Sequence, residues 1–345
     1  MLKVENSFSF SNSSTLQIVN YSLVKESLES GEALTKQQIA QMVQLSLPAV
    51  NAAVEQMLQT GEIIEKRAGF LGVMKNEKCY ILNENHSFKL TVQVDFEKAV
   101  FAVCNYGDKK VFRQSKVLPK SQPAIDFFIL SIEELFKSYK ITSCAMAFPC
   151  PVNRGFVYPA CEKFSELENI NLKAVLQNRF NIPFVLQNAV NAAAFGFYKK
   201  NESFLFEKSP LIFAGFEENY SKICTIIEGK ILNGFTSFAG NLSSVNKMQF
   251  SSSFSSTQKE EYFLELVEYL AAFFNPQIIY FFKSDIIQNI PEDFKTKCTK
   301  KLPEIAQPKI ELIDDFEYFC DFGLLTVCKN VSRETFLSQV EQTKD

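Results

Sequence analysis

The stretch Leu34–Gly61, LTKQQIAQMVQLSLPAVNAAVEQMLQTG, constrains the fold more than any other part of the chain. Thr35 is an N-cap residue, and Gln38 three positions on completes a capping box, so a helix begins there. Ile39, Ala40 and Val43 give that helix one short apolar stripe. Gln44-Leu45-Ser46 breaks the pattern and supplies a second N-cap in Ser46. Pro48 falls in the first turn of the next helix, where its missing N–H leaves no bond unmade. That helix turns Val50, Val54, Met57 and Leu58 inward and ends at Gly61. Two short helices joined by so few residues predict a helix-turn-helix. Upstream, Leu16, Val19, Leu23, Val24 and Leu28 sit at helical spacing, and Gly31 is the stop. Downstream, Ile63-Ile64 and Cys79-Tyr80-Ile81-Leu82 flank a glycine-bearing loop and predict a two-stranded wing.

Past residue 87 the pattern changes. KLTVQVDF and KAVFAVCNY read as a hairpin turning at Asp95-Phe96-Glu97-Lys98, and ITSCAMAFP, IPFVLQN, PLIFAGF, KICTIIEGKILNG and QIIYFF read as further strands. Helical spacing returns in IDFFILSIEELFKSYK, LKAVLQNRF, AVNAAAFGFYKK and KEEYFLELVEYLAAFF. Strands alternating with helices predict an α/β domain. The Ser-rich patch SSSFSS (Ser251–Ser256) reads as a plain loop. With 345 residues, 46% of them hydrophobic and 22% charged, the chain has the composition of a two-domain globular protein.

A helix-turn-helix reads DNA through the first residues of its second helix, braced on phosphates by the helix before it. Ser46, Ala49, Asn51, Ala52 and Glu55 lie on the face turned away from the core. The Asn51 amide matches an adenine edge, and the Ala49 and Ala52 methyls match thymine. Thr35, Lys36 and Gln37 at the first helix start, with Lys66, Arg67, Lys75 and Lys78 on or near the wing, are the phosphate-contact candidates. Against this, residues 1–90 hold eight Lys and Arg and nine Asp and Glu, so the basic surface typical of such modules is missing. A helical hairpin used for protein contact is the alternative. The turn, the caps and the wing together favour DNA.

The order helix-turn-helix, wing, α/β domain resembles the transcriptional-regulator branch of the ROK family (repressors, open reading frames and sugar kinases). The likeness runs through Val92–Phe101, Ala145–Val157, Val185–Tyr198, Gly229–Val245 and, more weakly, Asn275–Phe282, in family order over nearly the whole chain. It implies a winged helix-turn-helix over residues 1–87 and an actin-like, two-lobed fold of the sugar-kinase/Hsp70 type over 88–345. Lobe one would take about 88–187 plus the C-terminal helix, and lobe two about 188–325.

The same comparison exposes what is missing. Family kinases have a DIGGT-like turn whose bare backbone N–H groups cradle ATP phosphates. This chain has Asp95-Phe96-Glu97-Lys98-Ala99 there, and at the second phosphate turn Ala214-Gly215-Phe216-Glu217-Glu218. The family's general-base aspartate falls on Ala189 of the run Asn188-Ala189-Val190-Asn191, and alanine cannot accept a proton. The family's zinc histidine and cysteines are absent after Ala239-Gly240-Asn241, so no metal and no cofactor is expected. Asn153, Asn188 and Asn241 stand at sugar-contacting positions, with turn or capping chemistry as the competing reading.

No catalytic residue is therefore expected. The nine cysteines form no CxxC pair, and the single histidine, His86, reads as a solvated loop residue. Phe273-Phe274 and Phe281-Phe282 read as core, because no basic residues interleave with them. No apolar run is long enough to span a membrane, and the first residues do not read as a signal peptide, so a cytoplasmic location is expected. The expected partners are an operator DNA, a sugar or sugar-derived effector, and a second copy of the chain. The rival readings are an active sugar kinase and an interaction module that binds neither DNA nor sugar.

Overall fold

The computed structural model describes residues 13–67, 77–119, 122–158, 162–202, 209–217, 220–243, 245, 248, 250–251, 253–288 and 292–342. The chain divides into two compact units: residues up to Phe88 with Cys104–Val111 and the chain from Glu334, and Lys89–Val103 with Phe112–Arg333.

In the first unit, α1 (Ser13–Leu28), α2 (Lys36–Val43) and α3 (Leu47–Thr60) pack with a sheet of order β1-β3-β2. Both expected caps are present. Thr35 and Gln38 exchange the two bonds of a capping box, and Ser46 accepts from the Ala49 N–H. Gly61 ends α3 in the left-handed conformation at φ 77°, which costs glycine no steric strain. Strands β2 (Ile63–Arg67) and β3 (Lys78–Leu82) pair antiparallel from Ile63↔Leu82 to Arg67↔Lys78. A third strand, β1 (Leu34–Thr35), was not expected; it lies against Tyr80 and Cys79, and two residues are too few to show an alternation. Val24, Leu28, Ile39, Val50, Val54 and Met57 are fully buried, each contributing about 1.5–3 kcal/mol relative to exposure. Ala53 is buried with them, while Leu58 is only half-buried, because the inward face of a 3.6-residue period runs 50, 53, 54, 57.

The second unit holds two five-stranded sheets. In the first, of order β10-β7-β4-β5-β6, β4 (Phe88–Val94) and β5 (Lys98–Cys104) are neighbours as expected. Strand β6 (Lys110–Val117) was not foreseen, since VFRQSKV is exposed along most of its length and shows no apolar face. Strands β7 (Ile141–Phe148) and β10 (Phe184–Asn188) pair in parallel. Helices α4 (Ala124–Phe136), α5 (Leu172–Phe180) and the short ribbon of β8 (Val152–Asn153) and β9 (Phe156–Val157) complete this part.

The second sheet, β13-β12-β11-β14-β15, contains β11 (Leu211–Glu217), β12 (Tyr220–Ile227), β13 (Lys230–Ile231), β14 (Ile278–Phe282) and β15 (Lys309–Ile313). It is covered on both faces, which explains its near-continuous apolar strands. Leu211 and Phe213 pack with α6 (Ala189–Asn201) and α9 (Phe316–Gln342); Ile212, Ala214 and Phe216 pack with α7 (Ser256–Phe274) and α8 (Glu292–Lys301). Helices α6 and α9 cross at glycine. A Cβ on Gly196 would lie 1.9 Å from the Phe319 carbonyl, and one on Gly323 would lie 2.0 Å from that of Ala192.

Three local expectations are corrected. Ser255 and Ser256 are no plain loop: Ser255 caps α7 in a capping box with Gln258. His86 is half-buried, its ring edge-on to Tyr106 at 5.0 Å, so it is a packing residue. Phe281 and Phe282 are core, but Phe273 is 73% exposed.

Candidate nucleic-acid interface and a second polar site

The start of α3 is open. Ser46, Leu47, Pro48, Ala52 and Glu55 are exposed, and Ala49 and Asn51 half-buried, so the first turn of the helix meets solvent. Its positive dipole end suits a phosphate or a base edge, with Ala49 N–H held by Ser46 Oγ and Val50 N–H by the Ser46 carbonyl. Gln37 is exposed and Lys36 half-buried, with its ammonium 5.7 Å from the Tyr80 ring. Thr35, by contrast, is buried, and its side chain is occupied by the α2 cap. On the sheet, Lys66 is exposed, Arg67 ends β2 opposite Lys78, and Lys78 pairs with Glu65 at 3.0 Å. Lys75 lies outside the described residues.

The end of α3 is closed. Glu62, directly after the Gly61 cap, is buried and accepts hydrogen bonds from Tyr21 and Thr60 on one oxygen and from Tyr106 on the other. Burial pushes its carboxyl up, but the bonds from Tyr106, Tyr21 and Thr60 outweigh that and hold it below the usual carboxylate range. Burial and the Glu62 carboxylate push both phenols well above theirs. The Lys25 ammonium sits 4.2 Å from the Tyr106 ring. Nothing in the sequence marks this cluster, since its tyrosines lie 41 and 44 residues from Glu62.

The three asparagines named from sequence all lie in the second unit, Asn153 in β8, Asn188 at the end of β10 and Asn241 after β13. Asn188, at the end of β10, is buried and caps α6: its Oδ1 accepts from the Val190 and Asn191 N–H groups. Its amide nitrogen reaches the carbonyls of Phe148 and Cys150 at 3.4 and 3.1 Å and the Tyr220 hydroxyl at 2.6 Å. Asn153 Oδ1 accepts from Ser237 at 3.4 Å. Asn241 is buried and bridges to Lys222, whose ammonium donates to the Ala239 carbonyl at 2.5 Å. Burial pushes Lys222 down to about 8. A fourth asparagine, Asn191, follows in the first turn of α6: it donates to Asn233 at 3.3 Å, and its own buried Oδ1 has no hydrogen-bond partner among the described residues. The sequence held a hint of it, one helical position beyond Val190.

The resemblance to the family's kinases puts their phosphate turns at the β4–β5 turn and the end of β11. In the β4–β5 turn, Asp95 Oδ1 accepts from the Glu97 and Lys98 N–H groups at 2.6 and 2.7 Å, so those donors are already taken. At the end of β11, burial and the Asp95 carboxylate push the Glu217 carboxyl up. Glu218 lies outside the described residues. Ala189, the first residue of α6, brings only a methyl group. Among the described residues no group of three or more His, Cys, Asp or Glu could hold a metal ion, and no helix is long and apolar enough to cross a membrane.

Residues 91–209 match the model of the ROK family. The resemblance read from the motifs holds. No curated protein matches the chain in sequence. Among solved structures, a ROK family transcriptional regulator described as a homologue of the E. coli MLC protein is 13% identical with a TM-score of 0.58; the match covers 90% of this chain and 98% of that one. A ROK family glucokinase from Streptomyces griseus, in complex with glucose and AMPPNP, is 12% identical with a TM-score of 0.50, covering 70% and 99%. A ROK family protein from Streptococcus pneumoniae TIGR4, in complex with sucrose, is 12% identical with a TM-score of 0.51, covering 68% and 96%. The second unit thus has the α/β fold of ROK sugar kinases.

Proposed function

We propose that this chain is a DNA-binding transcriptional regulator, most simply a repressor, whose ROK-like domain senses a sugar or sugar derivative without phosphorylating it. The observation that carries the reading is one of coverage. The glucokinase is matched over 99% of its length yet leaves 30% of this chain over, whereas the regulator leaves 10%. Residues 1–88, about a quarter of 345, are the right size for the surplus. We read their α2, the Gln44-Leu45-Ser46 turn, α3 and the β1-β3-β2 sheet as a winged helix-turn-helix, with α3 as the recognition helix.

In that reading Asn51, Ala49 and Ala52 meet base edges, while Lys36, Gln37, Ser46 and Lys66 meet phosphates. A dimer sets two such helices about one turn of DNA apart. The effector contacts Asn153, Asn191 and Asn241, and Asn188 holds the helix they surround. A ligand changes operator affinity only as far as it binds one state better than the other. Phosphotransfer is disfavoured because Ala189 cannot act as a base and Glu97 and Lys98 stand where the resemblance puts the phosphate-cradling glycines.

The test is selection of bound genomic fragments by the full chain, followed by titration at several salt concentrations. Expected are a preferred sequence and a linear fall of log K with log salt, with Lys66→Ala reducing that slope by about 1. Sequence-blind, salt-insensitive binding would refute it. ADP release from ATP with a panel of hexoses would establish the kinase reading instead.

A further inference from the structure

We propose that the ligand of the polar site in the second unit is a sugar acid, a polyhydroxy monocarboxylate whose negative charge pairs with Lys222. The inference rests on the sensing role proposed above and names its ligand class. Lys222 stands within β12, 1% exposed, in a run of buried residues from Tyr220 to Ile226. Its neighbours across the sheet are Gly215 of β11 and Asn241, and neither brings a charge. The ammonium donates to the Ala239 carbonyl, and among the described residues no carboxylate pairs with it. An ammonium buried without a counter-charge is strongly disfavoured, and for packing alone an apolar side chain would serve better. An anion brought by a ligand removes that penalty.

The bonds around Lys222 close a ring. Ala239, which accepts from Lys222, donates its N–H to the Asn233 carbonyl at 3.3 Å. Asn233 Oδ1 accepts from the Asn191 amide, and the Asn191 backbone N–H donates to Asn188 Oδ1. Asn188 donates in turn to the hydroxyl of Tyr220, two residues from Lys222 and so on the same face of β12. Three groups of this ring have capacity left. An ammonium has three donors, and Lys222 spends one on Ala239. The Tyr220 hydroxyl accepts from Asn188 and has its own proton to give; burial first, then Cys150 and Glu217, push the phenol well above its ordinary range, so it keeps that proton. Asn191, 8% exposed, offers an acceptor, its unpartnered Oδ1.

Donors beside a cation suit a carboxylate, and a lone acceptor suits a hydroxyl, so the ring asks for an anion that also carries hydroxyl groups. One ammonium balances one charge. A carboxylate matches it, whereas a phosphate ester brings about −1.5 to −2 and would leave the surplus buried near Glu217. Access runs through the loop Leu232–Gly240, whose residues Asn233 to Thr236 meet solvent. The bonds Asn191–Asn233 and Ser237–Asn153 that hold this loop are both long, at 3.3 and 3.4 Å. A ligand enters by exchanging those two bonds for its own.

Calorimetric titration of the full chain tests this with glucuronate, galacturonate and mannuronate, each beside its neutral hexose and that hexose's 6-phosphate. At least one acid is expected to bind about tenfold or more tighter than both of its counterparts, the worth of a hydrogen bond to a charged group. The same acid should raise the melting temperature, since it binds the folded chain. Lys222→Met should erase the preference, leaving the acid no tighter than the hexose. The substitution removes a buried charge, so the unliganded variant should melt no lower than the wild type, and the wild-type series decides by itself should the variant not fold. A hexose that binds as tightly as its acid, a phosphate that binds tighter, or a preference that survives Lys222→Met would overturn the assignment and leave sugar sensing in place. Binding of none of the nine compounds would overturn both.

Discussion

Helices α3 and α6 both begin at an N-cap residue in extended conformation, Ser46 and Asn188, yet their ends are built in opposite ways. At α6 the cap is inside: Asn188 ties the helix start to two carbonyls and a phenol, all buried. At α3 the cap is outside, Ser46 being exposed, and the burial is moved to the far end, where Glu62 takes three hydroxyl bonds. One capping rule thus makes two devices. A sealed helix start fixes a frame; a helix held by its tail leaves its first turn in solvent.

The largest expected effect separates the two starts. Asn188→Ala should cost about 3 kcal/mol, because it removes a cap and leaves buried carbonyls unpaired. Urea unfolding followed by hydrogen exchange should place that loss in the second unit. A loss below 1 kcal/mol would mean the start of α6 is not sealed.

Next comes the tail of α3. Tyr106→Phe should cost about 2 kcal/mol, the worth of a hydrogen bond to a carboxylate. It should also change the pH profile. Glu62 is held below its ordinary 4.5, so its stabilisation is present above that pH and fades as pH falls through the lowered value. The tyrosines are held above their ordinary 10.0, so theirs is present below about pH 10 and fades as pH rises beyond it. Both limbs should flatten in the variant, read by chemical denaturation from pH 3 to 11.

Ser46→Ala should cost only about 1 kcal/mol, the value of an exposed cap, with exchange quickening in the first turn of α3 alone. The smallest effect is expected of Ala189→Asp, which restores a carboxylate beside Asn188. ADP release should stay at background, since the turn after Asp95 still lacks the glycines that bare a phosphate-binding backbone; hexose-dependent release would show that the turn is not what stops the reaction.

The capped helices were legible in the sequence because capping is local: Thr35–Gln38, Ser46–Pro48 and Gly61 lie within single turns. The apolar strands were legible for the same reason, each declaring itself by its own run. What escaped depends on distant partners. Strand β1 exists only through β3, and β6 carries no apolar face of its own. The Glu62 cluster joins three segments that share no motif. In the polar site, the positions of Asn153, Asn188 and Asn241 could be read, but the inward commitment of Asn188 depends on Tyr220 and the carbonyl ends of β7. Phe273 read as core for want of interleaved basic residues, yet among the described residues no element covers it.

The contact of Gly196 with Gly323 has a mechanical consequence. Where two helices touch backbone to backbone there is no room for even one methyl group, while the Phe197 and Phe319 rings interlock beside the contact at 5.1 Å. The separation of α6 and α9 is set by hard atoms, while their inclination is left to the packing on either side. The crossing is a spacer stop: a side chain at either glycine would wedge the helix that Asn188 begins away from the helix that follows β15.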